Sequence, residues 1–414
     1  MPEAHRSLLL GEGVLGAGGF SRSASRALFH SGTGSRDNIW DNALPFVYAR
    51  SMKVSSLRSG TAVFLLASLL RLTAAEPPPD KILLKDYKPR SIFKIPETRV
   101  EKARYPVIDA HSHDYGPTAA DADRWVNTMD AVGVEKTIIL SGSTGARFDA
   151  AIERYGKHPK RFTVWCGIDF RSVQQPGFGA AAVAELERCH KAGAMGVGEL
   201  SDKGRGFGAT SNAPGIHIDD PRMDPILDKC AELGMPVNIH VAEDQWMYEP
   251  MDASNDGLMN AWTWRITNAP GVLPHDEVVD TLERAVKKHP RTIFIACHLA
   301  NCCSDLNRLG AMLDHYPNLY ADIGARFAEL SPIPRTASQF FQRYQDRILY
   351  GTDMTPVAEM YRVTFRLLET ADEHFYPAYF RHYHWPLHAW ALPDEVLRKI
   401  YRDNALKLFA ASVR

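Results

Sequence analysis

Tyr105-Pro-Val-Ile-Asp-Ala-His-Ser-His113 is the stretch that decides how this 414-residue chain folds. Val107 and Ile108 predict a buried strand, and along a strand residues i and i+2 share one side. His111 and His113 then leave the strand end together as two imidazoles aimed at one point, as a first-row divalent ion requires. The pair alone is a weak signal, because His382 and His384 repeat the spacing with no strand before them. Its weight comes from residues further along the chain.

Beyond a Pro-rich lead at 76–105, apolar runs recur at 107–110, 134–140, 162–168, 195–198, 236–240, 292–297, 319–323 and 348–350. Between them, segments 120–132, 180–192, 221–233, 276–289 and 393–411 carry apolar residues three and four apart, the period of amphipathic helices. Gly133, Gly193 and Gly234 stand where left-handed helix C-caps are expected. Strands that are continuous apolar runs alternating with helices point to parallel pairing buried on both faces. Eight such units over residues 106–414 predict an α/β fold, a (β/α)8 barrel. No G-x-G-x-x-G follows the first strand, so a dinucleotide fold has no support. Two segments exceed ordinary barrel loops, 241–275 after strand five and the aromatic-rich 374–390. Either could form a lid or a contact between copies in a homo-oligomer.

Polar residues fall on this frame in a pattern. His111 and His113 follow strand one and Glu199 strand four, while His240 closes strand five, His298 strand six and Asp353 strand eight. Barrels of this type build their active sites at those carboxyl ends. A single such histidine is more often a hydrogen-bonded core residue, but six chemically matched groups at one end point to a metal site. Asp109 is expected to hold the turn that carries the two histidines. Cys297, inside an apolar strand, reads as core and not as a nucleophile.

The motifs Val107-Ile-Asp-Ala-His-Ser-His113, Val237-Asn-Ile-His240, Ala296-Cys-His298 and Tyr350-Gly-Thr-Asp353, with Arg398-Lys-Ile-Tyr-Arg-Asp-Asn404, resemble the amidohydrolase superfamily. The closest likeness is to its amidohydrolase-related branch of metal-dependent hydrolases and decarboxylases, and it runs from about residue 107 to 409. The resemblance implies a divalent metal, with zinc the expected ion, held by His111, His113, His240 and Asp353. It also implies His298 beside the bound water, and catalytic roles for Asp353 and His298. Asp353 would take the proton of water and pass it to the leaving group, while His298 orients that water or stabilises oxyanion charge. Glu199 has two readings. It bridges two ions, with His240 and His298 on the second, or it faces substrate, or pairs with Lys203, beside a single ion. One ion is favoured here.

Lys203, Arg205, Trp246, Trp264, Arg265 and Arg326 lie on segments after strands four, five and seven. An arginine could clamp a substrate carboxylate beside an aromatic wall; the plain alternative for each is pairing with a nearby acid. The expected substrate is a small molecule, with an amide, ester or lactone as the bond cleaved. Non-oxidative decarboxylation is the alternative, and a catalytically silent metal-binding barrel comes third.

The N-terminus carries a different signal. Met52-Lys53 opens a basic stretch, 61–70 is apolar, and Arg71-Leu-Thr73-Ala-Ala75 offers small residues before Glu76. That is the layout of a secretory signal peptide at 52–75 cleaved near Ala75, so export to the periplasm or medium is expected. Residues 1–51 lack periodicity and read as a start placed too early or as a disordered extension. Removing residues 1–75 takes away eight basic and four acidic residues and leaves net charge −5, which argues against a nucleic-acid partner. No apolar run reaches the ~20 residues of a membrane span. Six cysteines without C-x-x-C spacing read as buried thiols.

Overall fold

The computed structural model describes residues 77–266, 270–380 and 383–412. The signal peptide expected at 52–75, its cleavage point and the 1–51 extension lie outside the described residues. So does His382.

Eight strands form where apolar runs predict them: β1 Val107–Ser112, β2 Val134–Leu140, β3 Phe162–Trp165, β4 Val197–Asp202, β5 Val237–Val241, β6 Phe294–Ala296, β7 Leu319–Asp322 and β8 Ile348–Leu349. Neighbours pair in parallel as β1-β2-β3 and as β4-β5-β6-β7-β8. Backbone bonds join the two arcs at both seams. Cys166, just past β3, donates to Gly196 and accepts from Gly198, and Ala110 of β1 donates to Tyr350 past β8. The result is a (β/α)8 barrel.

Ile108, Ala110, Ile138, Leu140, Trp165, Ile295, Tyr320 and Leu349, drawn from six strands, pack in one buried cluster with Ala405 and Leu408 of the last helix. The barrel is therefore filled, and its chemistry is confined to one end. The larger cluster lies between strands and helices, where Val107, Val237, Phe294 and Leu319 meet residues such as Trp125, Leu282 and Phe365.

Helices follow the predicted periodicity at Ala119–Val132, Phe178–Lys191, Asp224–Leu233 and His275–Lys288. The first opens on a capping box between Thr118 and Asp121 and closes on Gly133, whose φ of 87° no β-carbon favours. The segment expected as one helix at 393–411 contains a π-helical turn, Lys399–Asp403, between Asp394–Arg398 and Asn404–Ser412. Among the described residues no helix is long and apolar enough to cross a membrane.

Strand ends differ from the expectation in a consistent way. β1 and β4 run on through His111 and Glu199, which were expected to follow the strands, and β5 runs one residue past His240, which was expected to close it. The ladder is a backbone property and does not stop where side chains turn polar. β1 also carries an extra residue between Asp109 and Ser112 relative to β2. Asp109 faces outward, where its carboxylate accepts from Tyr361 at 3.0 Å and from Thr352 Oγ1 at 2.7 Å. The bulge then re-aims His111 and His113 toward the barrel axis. Asp109 thereby ties β1 to the turn after β8, the holding role read from sequence.

Candidate metal centre

His111 is fixed from behind. Its Nδ1 donates to Asp322 at 2.9 Å, so the lone pair sits on Nε2. Asp322 closes β7 and also accepts from Asn238 Nδ2 at 3.1 Å and from the amides of His298 and Gly324 at 3.2 and 2.9 Å. Gly351 lets the turn after β8 pass close by, since a β-carbon there would stand 2.6 Å from that of His111. His113 donates Nδ1–H to the carbonyl of Leu140 at 3.1 Å and points Nε2 at Asp353, 2.9 Å from Oδ1.

His298 is held as firmly by a different device. Residues His298, Leu299, Ala300 and Asn301 all have φ between 54° and 57°, a left-handed turn made without glycine. Each such residue costs about 1–2 kcal/mol, and strain of this kind collects at functional sites. The turn lets His298 Nδ1 donate to the carbonyl of Gly324 at 2.7 Å, which leaves Nε2 facing the mouth.

Glu199 stands between the histidines. Its Oε1 lies 2.8 Å from His240 Nδ1, 3.3 Å from His298 Nε2 and 4.0 Å from His111 Nε2. Its Oε2 lies 3.5 Å from His113 Nε2. Asp353 faces the same space, with Oδ1 3.8 Å from His111 Nε2 and Oδ2 3.8 Å from His298 Nε2. Among the described residues four sets have ligand atoms within 4.8 Å of one another: His111–His113–Glu199, His111–His298–Asp353, Glu199–His240–His298 and, behind His111, His111–Cys297–Asp322. Glu199 is common to two of them. All six side chains read from sequence thus meet at one end of the barrel, and His240 stands nearest Glu199 and His298.

The donor set suits a divalent cation. Burial opposes charge on Glu199 and Asp353, yet the surrounding imidazoles outweigh it and hold both carboxyls below the usual carboxylate range. His240 Nδ1 and His298 Nε2 face each other at 3.1 Å. His111 Nε2 is buried without a hydrogen-bond partner among the described residues. Two anions and converging nitrogen lone pairs are what such an ion requires.

The residues read as substrate contacts are placed differently. Arg326 is 5% exposed and donates Nε–H to Asn301 Oδ1 at 3.1 Å. Glu329, Asp244 and Glu243 surround it at 3.4, 3.6 and 3.7 Å, so its charge is already matched inside the protein. Lys203 bonds Glu243 and sits 5.2 Å over the ring of Trp264, which is half exposed. Arg265 is exposed and stacks at 4.0 Å on Trp262. Arg205 is exposed and donates to the carbonyl of Thr210. Trp246 lies 5.7 Å from Trp385, so the 241–275 insertion and the 374–390 stretch meet as an aromatic wall.

Sequence reasoning passed over Asp322, Glu243 and Tyr115. Asp322 carried a usable signal, an acid closing an apolar strand as Asp353 follows the next one. Tyr115 lies two residues past His113, and its hydroxyl donates to Asp353 Oδ1 across 3.5 Å. Glu243 carried no signal, because its partners come from three separate loops.

Solved structures resemble the chain over most of its length at low identity. A 2,6-dihydroxybenzoate decarboxylase from Rhizobium is 18% identical over 74% of this chain and 99% of that one, with TM-score 0.48. An uncharacterized TIM-barrel protein from Bordetella bronchiseptica is 16% identical over 75% and 100%, with TM-score 0.48. A 5-carboxyvanillate decarboxylase from Novosphingobium aromaticivorans, complexed with manganese, is 17% identical over 75% and 99%, with TM-score 0.46. Likeness at this level carries no argument about activity. No curated protein matches the sequence. The profile of the family described as Amidohydrolase matches residues 97–411, which hold all eight strands and all six converging side chains, and the chain belongs to that family.

Proposed function

We propose that this protein is a metal-dependent hydrolase that cleaves an amide, ester or lactone of a small molecule, with Glu199 bridging two divalent ions. The observation that carries the proposal is the position of Glu199, whose two oxygens face His113 and the His240–His298 pair at 2.8–3.5 Å. That geometry favours two ions over the single ion expected from sequence. His111, His113 and Asp353 would hold one ion, and His240 and His298 the other. Zinc fits the nitrogen-rich set; manganese is the other candidate.

Bound divalent ions supply water that ionises near neutral pH and polarise a substrate carbonyl. The chain's own groups do the rest. Asp353 is the carboxylate most open to the mouth, its side chain 21% exposed against 6% for Glu199. It can accept a proton from water and return it to the leaving group. His298, anchored on Gly324, keeps Nε2 aimed at the same space and orients what binds there.

Metal-stripped and reconstituted protein should be assayed on esters, lactones, N-acyl compounds and aromatic acids. Metal-dependent release of an acid from one of the first three classes is the expected result. Release of CO2 from an aromatic acid, with no hydrolysis, would replace this proposal with decarboxylation. Metal retained with no turnover on any class would favour a silent barrel.

A further inference from the structure

Three of the four imidazoles at the centre have their outer nitrogen fixed. His111 is held by Asp322, His113 by the Leu140 carbonyl and His298 by the Gly324 carbonyl, each through Nδ1 at 2.7–3.1 Å. His240 has no such bond. Its inner nitrogen is Nδ1, facing Glu199 and His298, and its outer Nε2 is buried without a hydrogen-bond partner among the described residues. Glu243 Oε2 faces it from 3.7 Å away.

Glu243 is an unusual group to bury. It is 4% exposed, two residues past β5, with Lys203 bonded to its other oxygen and Arg326 at 3.7 Å. Its main-chain amide donates to the Tyr248 hydroxyl at 3.2 Å, which pins the loop. A buried carboxylate between two cations and an imidazole must be matched on every side to be tolerated. The Lys203 ammonium lies over Trp264, at the end of the helix Leu258–Trp264 in the insertion.

We propose that Glu243, held in place by Lys203, is the positioning residue for His240: it keeps the proton on Nε2 and so leaves Nδ1 free to bind an ion. The inference rests on the metal-centre reading and assigns Lys203 a structural partner in place of a substrate carboxylate. It also makes the insertion part of the ion site, because Trp264 covers the lysine that holds the glutamate. Carboxylates that orient metal-binding histidines typically change metal affinity by about 10–100-fold when removed.

The test uses the full chain, stripped with a chelator and titrated with Zn²⁺ against a chromophoric competitor, with circular dichroism as a check on folding. Glu243→Gln should weaken one of the two ions by about 10–100-fold, with the other little changed. Lys203→Met, at a partly exposed position, should shift the same ion in the same direction by less. A folded Glu243→Gln protein with wild-type affinity for both ions overturns the proposal. If that variant does not fold, unchanged affinity in Lys203→Met overturns it. Wild-type protein that binds no ion refutes the metal centre itself; wild type that binds ions beside unaffected variants refutes only the positioning role.

Discussion

The two halves of the centre are built to different tolerances. On the side of β1 and β8, His111 is braced by Asp322, His113 by a strand carbonyl, and Asp109 ties both strands together through Thr352 and Tyr361. These partners come from strands, from the turn after β8 and from the helix Ala358–Glu369. On the side of β5 and β6, His298 depends on a left-handed turn, and His240 faces a glutamate 3.7 Å away that is held by a lysine from another loop. The first half is fixed by the barrel, and the second by its loops.

The largest expected effect comes from the barrel half. Asp353→Asn should lower turnover by roughly 10²–10⁴-fold, the usual contribution of a positioned acid–base group. Steady-state rates of the reconstituted protein check it, and a loss under tenfold would remove Asp353 from proton transfer.

Asp322→Ala leaves an imidazole, an amide side chain and two backbone amides without their acceptor. Breaking a buried charged pair of this kind costs about 3–5 kcal/mol, which urea unfolding would register. Glu243→Gln, on the loop half, should cost clearly less. Equal costs would erase the contrast between the halves.

Glu329 offers a pH test on the loop half. Burial pushes its carboxyl up to about 7, against Arg326 and Tyr383. The native chain therefore keeps a proton that the unfolded chain releases near 4.3. Native protein binds more protons than unfolded across that interval, so stability falls as pH rises from about 4.3 to about 7 and then levels. Glu329→Gln should flatten this part of the stability–pH curve, and an unchanged slope would contradict the assignment.

The smallest effect belongs to Tyr115. Its hydroxyl bond to Asp353 is long, at 3.5 Å, so Tyr115→Phe should lower turnover only a few-fold, about 1 kcal/mol. A hundredfold loss would move Tyr115 into direct contact with the reacting atoms.

Most of the barrel was legible because its strands are continuous apolar runs and its helices keep a clean 3.6 period. The six polar residues were legible because each falls at, or within a few residues of, the carboxyl end of an apolar run. Asp322 could have been read the same way. What sequence could not show was set by backbone geometry or by distant loops. The bulge in β1 and the left-handed run at His298–Asn301 have no glycine to announce them. For Arg326 the pairing alternative holds, but only Glu329 is near in the chain; Glu243, Asp244 and Asn301 lie 83, 82 and 25 positions away. Lys203 was given Glu199 as its possible partner, and the acid it bonds is Glu243, forty positions on.

The central claim is that Glu199 joins the two halves around a pair of ions. Metal content per chain, measured on wild-type protein and on Glu199→Gln after loading with excess Zn²⁺ and removal of unbound metal, tests it most directly. The account predicts two ions in the wild type and no more than one in the variant. One ion in both proteins would contradict it.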